Sequence, residues 1–479
     1  VKHVDVAIIG AGSAGLSARR EVARTTDNYV VIDDGPLGTT CARVGCMPSK
    51  VLIQVADDFH RRHSLAQEGI AGGDQLSVDK AAVMDHVRAL RDRFVKAVRS
   101  DMAQWTETHL IPKRARLKSL NEIDLGDESI RADRIIIATG SRPIIPQAWQ
   151  QFGDRLIDTD RLFELKTLPD RLAVVGLGVI GLELGQALAR LGIEVHGFTM
   201  DPALGGLTDP SLQDYMGELV SQEFPITFQA VDRIEPTAEG LAVTAGGHTV
   251  TVDAVFTAMG RRPNTDRLGL EDLALPRDEQ QKLVVNPGTF RIGDSPLYLA
   301  GDAHGERPIL HEASDEGRIA GYNAVNDDHC FQRRTKLSIT FSSPNIAVIG
   351  RSHRELTQSQ MDFVTGRVSY EGQGRAIVKL AEKGELHVYV DRKNGSILGA
   401  ELIAPQGEHI AHLLAWAIAA RINVFEALSL PFYHPVLEEG LRTALRDAAA
   451  QVEGDRPPLE VLRCQDPPVG SWAKTEAQS

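Results

Sequence analysis

The chain has 479 residues, 42% hydrophobic and 24% charged, room for about three domains at roughly 150 residues each and too ordinary a composition for a disordered, fibrous or membrane-embedded protein. Its net charge of −13 repels phosphate backbones, which argues against a nucleic-acid partner. Four cysteines are too few for a disulfide scaffold at this length, and no apolar run approaches the roughly 18 residues that span a bilayer.

The chain starts VKHVDVAIIGAG, which enters a buried-strand pattern with no signal-peptide layout, so it reads as cytoplasmic with no membrane partner. Residues 4–10, VDVAIIG, form a β-branched run ending in glycine. AGSAGLSARREVART then suits a helix packed on a sheet, and YVVIDD supplies a second strand over Tyr29 to Asp34. Gly10, Gly12 and Gly15 fall between the strand and the helix, and Asp33 ends the second strand. Glycines there allow a tight turn and close approach of a pyrophosphate to the helix N-terminus, while the acid accepts from a ribose hydroxyl. A bare glycine pattern also serves as a structural turn. The strand, helix and acid in register point to a dinucleotide.

Cys41 and Cys46 follow in GTTCARVGCMPSK. A bridge across four residues beside a helix start is easily reduced, its thiolate stabilised by the helix dipole. Two buried unpaired thiols are the plainer alternative. Residues 51–110 are polar and helix-prone, and RIIIATG at 134–140 closes that region as a strand.

From Leu172 to Thr199 the opening grammar recurs, with Gly176, Gly178 and Gly181 between LAVVG and EVHGFT. Two dinucleotides in one chain suggest a flavin and a nicotinamide that exchange a hydride. Thr199 stands where an acid usually marks NAD, and no arginine follows it to mark NADP. The missing cationic clamp favours NAD without excluding NADP, and Asp201 reads as a loop acid. AVFTAMGRRPN and PLYLAGD are further strands ending in glycine turns. From about Thr335, KLSITF, NIAVIG, RAIVKLAE and ELHVYVD predict an antiparallel sheet. EHIAHLLAWAIAARI and VLEEGLRTALRDAAAQ predict two helices. The stretch 452–479, with four prolines, predicts an extended or disordered tail.

Taken together, IIGAGSAG, CARVGCMPSK, IIATGSRP, VVGLGVIGLELG, MGRRPN, LAGD and YHPVLEE occur in an order that resembles the flavin-dependent pyridine nucleotide-disulfide oxidoreductases, most closely their dihydrolipoamide dehydrogenase branch. The resemblance covers roughly residues 4 to 450. It implies an α/β chain with two Rossmann-like dinucleotide-binding domains and a C-terminal α+β dimerisation domain: residues 1–145 and 265–335 for FAD, 146–264 for NAD, 336–450 for the interface, and a tail over 451–479.

The resemblance also implies roles. Cys46 is the thiol nearest the flavin and Cys41 the interchange thiol, the two forming a redox disulfide. Lys50 lies near the flavin, paired with Glu183. Thr40, Thr139, Gly140 and Asp302 join Gly10, Gly12, Gly15, Asp33 and Lys50 around FAD, and Gly260 joins Gly176, Gly178 and Gly181 around NAD. His434, oriented by Glu439, handles protons for the disulfide of the other subunit, so a homodimer follows. Standing alone, that His-Pro pair would be a turn at a helix start.

Departures from the family pattern are Thr39 in place of a second glycine, Arg43 in place of asparagine, and Phe432-Tyr433 in place of a His-Ala pair. The implied activity is oxidation of a free or carrier-bound dihydrolipoyl dithiol by NAD. The alternatives are an NAD(P)H-dependent reductase of another disulfide or related oxidised substrate, and a flavoprotein held in an assembly or acting as a sensor. No N-terminal metal-binding CxxC occurs, and Cys464 stands alone in the tail, which leaves no dithiol relay within one chain.

Overall fold

A computed structural model describes residues 2–454, 456–466 and 469. The chain opens with strand β1 (Lys2–Ile9), helix α1 (Ser13–Val22) and β2 (Tyr29–Ile32). Both strands turn β-branched side chains into a dry sheet. The helical excursion comprises α2 (Thr40–Val44), α3 (Cys46–His60), the single turn α4 (Arg62–Leu65) and α5 (Lys80–His109), whose N-terminus is capped by Asp79. Next come β3 (Leu110–Ile111), β4 (Arg116–Leu117), β5 (Glu122–Asp124) and β6 (Ser129–Ile137). In this first sheet β1 lies between β2 and β6, parallel to both.

After β7 (Ser141–Pro143) the chain builds a second, wholly parallel sheet. Its elements are β8 (Leu156–Ile157), α6 (Thr159–Leu162), β9 (Arg171–Val175), α7 (Val179–Arg190), β10 (Glu194–Phe198), α8 (Pro210–Ser221) and β11 (Ile226–Thr227). A three-stranded antiparallel sheet that periodicity did not reveal follows, with β12 (Arg233–Thr237), β13 (Gly240–Ala245) and β14 (His248–Val252). β15 (Ala254–Thr257) then completes the order β11-β10-β9-β15-β8. β16 (Arg261–Pro263) pairs antiparallel with β7 and returns the chain to the first sheet, where β17 (Leu297–Leu299) adds to β6 and α9 (Leu310–Val325) packs beside α1.

The last region is an antiparallel five-stranded sheet in the order β18-β19-β22-β21-β20. Its elements are β18 (Leu337–Thr340), β19 (Asn345–Gly350), α10 (His353–Gln358), β20 (Phe363–Ser369), α11 (Gly374–Val378), β21 (Glu385–Asp391) and β22 (Ile397–Ala404). α12 (Gly407–Ala419), α13 (Val424–Leu428) and α14 (Glu439–Ala449) follow, with buried residues of all three in the sheet's core.

The stretch RAIVKLAE differs from its sequence reading as a strand. Residues 374–378 form α11, capped by the Gln373 side chain accepting from Ala376 N at 2.7 Å, and the strand partners of β21 are β20 and β22. An apolar run of three, Ala376 to Val378, is too short for periodicity to separate strand from helix, and the cap decides.

Residues 452–454 and 456–466 contain no helix or strand. Glu460 in this stretch clasps Arg442 and Arg446 of α14. The tail expected beyond 466 lies outside the described residues apart from 469. Among the described residues no helix is long and apolar enough to cross a membrane.

Candidate active site

Between β1 and α1, Gly10 has φ +109°, and a Cβ there would stand 2.3 Å from the Ala138 carbonyl oxygen. A Cβ on Gly15 would lie 1.9 Å from the Gly10 oxygen, so strand and helix meet through bare backbone. Gly12 caps α1 and has open space where its Cβ would be. Asp33 accepts from Ala11 N at 2.6 Å and Gly35 N at 2.7 Å, which holds its carboxylate over this turn. An open helix N-terminus with an acid beside it is the cradle that the pyrophosphate and ribose of FAD require.

From that turn β2 leads to the cysteines. Thr39 keeps a glycine-like backbone, φ 62°, and its hydroxyl caps α2 by accepting from Ala42 N at 3.2 Å. Thr40 is exposed and opens α2, and Cys41 follows it. Cys46 is the first residue of α3, where helix N-terminal N–H groups favour a thiolate. Both thiols are free, and they hydrogen-bond to each other. That bond with Cys41, helped by the Lys50 charge and opposed by burial and Glu183, brings the Cys46 thiol down to about 7. The same contact with Cys46, with burial, pushes the Cys41 thiol up.

Lys50, one turn along α3, bonds the buried Glu183 of α7 at 2.8 Å. The other carboxylate oxygen of Glu183 accepts from Phe341 N at 2.7 Å, and the Phe341 ring lies under the Lys50 ammonium at 4.7 Å. Phe341 was not among the predicted site residues, because a backbone N–H leaves no trace in a residue pattern. Arg43 lies against Gly38, and its charge is felt at Asp160 of α6.

A cavity of about 570 Å³ opens at Cys41 between α1 and α5, with Met47, Phe94, Trp105 and Arg20 in its wall. His434 and Glu439 do not line it. They form their own pair: His434 Nδ1 lies 3.0 Å from Glu439 Oε1, at the head of α14, and the His434 side chain is 80% exposed. The imidazole, with help from Val436 N, holds the Glu439 carboxyl below its usual range.

Asp302 accepts from the Ser141 hydroxyl at 2.6 Å, and Ser141 in turn accepts from Arg261 Nε at 2.8 Å. Thr139 and Asn264 exchange bonds of 2.9 and 3.0 Å, the Gly140 oxygen accepts from Asn264 N, and the Gly260 oxygen accepts from Ile144 N. The predicted residues Thr139, Gly140, Gly260 and Asp302 thus meet where the chain crosses between sheets. Ser141, Arg261 and Asn264 complete the crossing. They stood in GSRP and GRRPN but were not singled out.

The second turn repeats the first. Gly176 has φ +93°, with the Ala258 oxygen 2.4 Å from its would-be Cβ. Gly181 meets the Gly176 oxygen at 1.8 Å, and Gly178 is open. At the end of β10, the Thr199 hydroxyl donates to Asp201 O, while the Asp201 carboxylate accepts from Ala203 N at 2.9 Å and closes its own turn.

Two family descriptions match the chain: pyridine nucleotide-disulphide oxidoreductase over residues 4–317, and the dimerisation domain of the same family over residues 337–445. Dihydrolipoyl dehydrogenase 2 of Haloarcula marismortui is 27% identical over 94% of this chain and 97% of its own. A mercuric reductase of Shigella flexneri is 26% identical over 92% of this chain and 80% of its own. In fold, the chain is similar to the HOCl-induced flavoprotein disulfide reductase RclA from Escherichia coli, solved as a Cu(II) complex. The TM-score is 0.79 at 20% identity, covering 95% of this chain and 100% of that one.

Proposed function

The chain belongs to the pyridine nucleotide-disulphide oxidoreductase family, FAD-dependent flavoproteins that use NAD(P)H, and from that membership we propose that it oxidises a dihydrolipoyl dithiol, free or carrier-bound, with NAD as acceptor. The observation that carries this reading is the pair of hydrogen-bonded thiols at the head of α3, with Lys50 one turn away. The similarity to dihydrolipoyl dehydrogenases over nearly the whole chain supports it.

In the starting state Cys41 and Cys46 are joined as a disulfide. A substrate thiolate attacks the Cys41 sulfur, the S–S bond breaks, and Cys46 leaves as a thiolate stabilised by Lys50 and the α3 N-terminus. The second substrate thiolate attacks the mixed disulfide, releasing the closed substrate disulfide and the Cys41 thiol. His434 Nε2 takes the proton from the attacking thiol, while Glu439 holds Nδ1 and fixes the tautomer. On this reading the dyad of one protomer serves the cysteines of the other in a homodimer, and the exposure of His434 and its absence from the Cys41 cavity are consistent with that. Bound FAD supplies the transfer of the electron pair from the dithiol to the nicotinamide. The balance is dithiol plus NAD⁺ giving disulfide, NADH and one proton.

A second reading is an NADPH-dependent reductase of another oxidised substrate. It draws on the end of β10, where Asp201 is committed to its own turn and no acid is left to select the 2′-hydroxyl of NAD. Two assays separate the readings: dihydrolipoamide with NAD, and NADPH with oxidised glutathione, each followed by nicotinamide absorbance. Turnover in the first supports the proposal; turnover confined to the second rejects it in favour of the reductase.

A further inference from the structure

Helices α3 and α7 run side by side, with Leu52 and Ala56 of one in the same core as Leu184, Ala187 and Leu188 of the other. Their polar contacts repeat. Lys50 of α3 bonds Glu183 of α7 at 2.8 Å, and seven residues farther along both helices Asp57 bonds Arg190 at 2.6 Å. The polarity is reversed between the two pairs. Seven residues are about two helical turns, so both pairs lie on the same facing stripe, about 10 Å apart.

Arg190 is anchored independently of Asp57. Its side chain is 7% exposed, it bonds both carboxylate oxygens of Glu223 at 2.8 Å, and it donates to the Ser343 carbonyl at 3.0 Å. Gln186, between the two pairs, bonds Ser343 at both N and O, and Glu183 takes Phe341 N. The α7 side is therefore rigid. On the α3 side only Lys50 and Asp57 reach across to α7 by hydrogen bonds among the described residues.

We propose that Asp57 is a positioning residue: its ion pair with Arg190 is a second rung that fixes the register of α3 on α7 and so holds Lys50 where its charge supports the Cys46 thiolate. With one rung, α3 can rotate or slide by a fraction of a turn while the flexible Lys50 stem keeps its partner. With two rungs of opposite sign, a slip of one turn would set Lys50 or Asp57 beside uncharged neighbours and leave Arg190 with less than its full complement of anions. The titratable groups around Cys46 are Cys41, Lys50 and Glu183, and those around Asp57 are Arg190, Glu223 and Asp58. His60 also feels Arg190, and burial together with that charge brings it down to about 4, so it stays neutral near pH 7.

This inference rests on the roles given above to Cys46 and Lys50, and Asp57→Asn tests it because Arg190 keeps Glu223 and Ser343. The reduced holoenzyme is alkylated with iodoacetamide across a pH series, Cys46 labelling is read by mass spectrometry, and FAD content and thermal midpoint are measured alongside. Positioning predicts that Asp57→Asn slows Cys46 labelling at pH 7 by roughly threefold or more and moves the labelling midpoint to higher pH. Asp57→Glu should restore the wild-type profile.

The sign is decisive. Removing a negative charge about 16 Å away along α3, with register intact, would if anything stabilise the thiolate slightly and move the midpoint to lower pH. A midpoint that falls or stays put in Asp57→Asn, whatever happens to the thermal midpoint, overturns the proposal. If wild-type Cys46 itself labels like an ordinary thiol, the role assigned to Cys46 fails, a result distinct from failure of the rung.

Discussion

The two nucleotide turns match contact for contact and differ in what closes them. Gly10 and Gly176 share a left-handed backbone and a carbonyl 2.3 or 2.4 Å from the missing Cβ; Gly15 and Gly181 meet the preceding turn at 1.9 and 1.8 Å. Beyond the turn they part. The first closes on Asp33, whose carboxylate bonds back to Ala11 N, whereas the second closes on Thr199, whose hydroxyl turns away to Asp201 O. The turn is thus a requirement of strand and helix packing, common to both units, and on the proposed reading the residue at the end of the next strand is what distinguishes their nucleotides.

The largest expected effect breaks the likeness. Gly15→Ala and Gly181→Ala introduce the same clash, with no flexible side chain to yield, at a cost of several kcal/mol. Gly15→Ala should abolish FAD retention and with it the folded yield. Gly181→Ala should keep FAD, read by its absorbance after gel filtration, while nicotinamide-linked turnover falls by about 100-fold or more. Loss of FAD from Gly181→Ala would show that the two units do not fold and bind separately.

Next in size, an exchange at the closing residue sharpens the difference. Asp33→Asn retains one acceptor where the native carboxylate serves both Ala11 N and Gly35 N, so FAD affinity should fall by about 1–3 kcal/mol, measured by flavin release on dilution. Thr199→Asp places an acid at the equivalent point of the second unit. The ratio of kcat/KM for NAD over NADP should rise roughly tenfold, in steady-state assays of the two nucleotides. An unchanged ratio would mean that the ribose is read elsewhere.

The contrast between units was legible because it is local. Gly10 to Asp33 and Gly176 to Thr199 each span one βαβ, and a glycine required by a backbone clash must be written in the sequence. The cysteine pair, Lys50 and Glu183 were legible for another reason, a resemblance carried by several motifs in order. Contacts made by backbone groups across the fold left no trace, as with Phe341 N on Glu183. The pairing of Asp57 with Arg190 spans 133 residues and is periodic only when two distant helices are laid side by side. The run RAIVKLAE misled because three consecutive apolar residues fit either period and the deciding cap lies on Gln373, outside the run.

A third measurement sets the chemistry of the first unit apart from that of the second by pH. The Cys46 thiol is brought down to about 7, first by its hydrogen bond with Cys41 and then by Lys50, so its thiolate persists well below the range of a free cysteine near 8.5. A group that must be deprotonated to react loses activity as pH falls. Cys46 alkylation in the reduced enzyme should therefore be nearly complete in rate at pH 8, half-maximal near 7 and small at 6. Nicotinamide binding to the second unit, followed by fluorescence, should change little over the same interval. Lys50→Met should move the alkylation midpoint upward without altering that binding.

The smallest expected effect concerns Thr39, where the first unit hands over to the cysteines. A β-branched residue at φ 62° and ψ 148°, backbone that glycine alone adopts readily, costs about 1–3 kcal/mol relative to glycine, yet the Thr39 hydroxyl recovers part of that by capping α2 through Ala42 N. Thr39→Gly removes the strain and loses the cap, two changes of opposite sign and similar size, so the thermal midpoint should move by no more than a few degrees. Thr39→Ala keeps most of the strain and loses the cap, and should be the less stable of the two by about 1 kcal/mol. Because α2 carries Cys41, the same order should hold for the rate of disulfide interchange, with Thr39→Ala slower than Thr39→Gly. If Thr39→Ala were as stable as the native chain, the hydroxyl would not be acting as the cap that makes this backbone tolerable to a threonine.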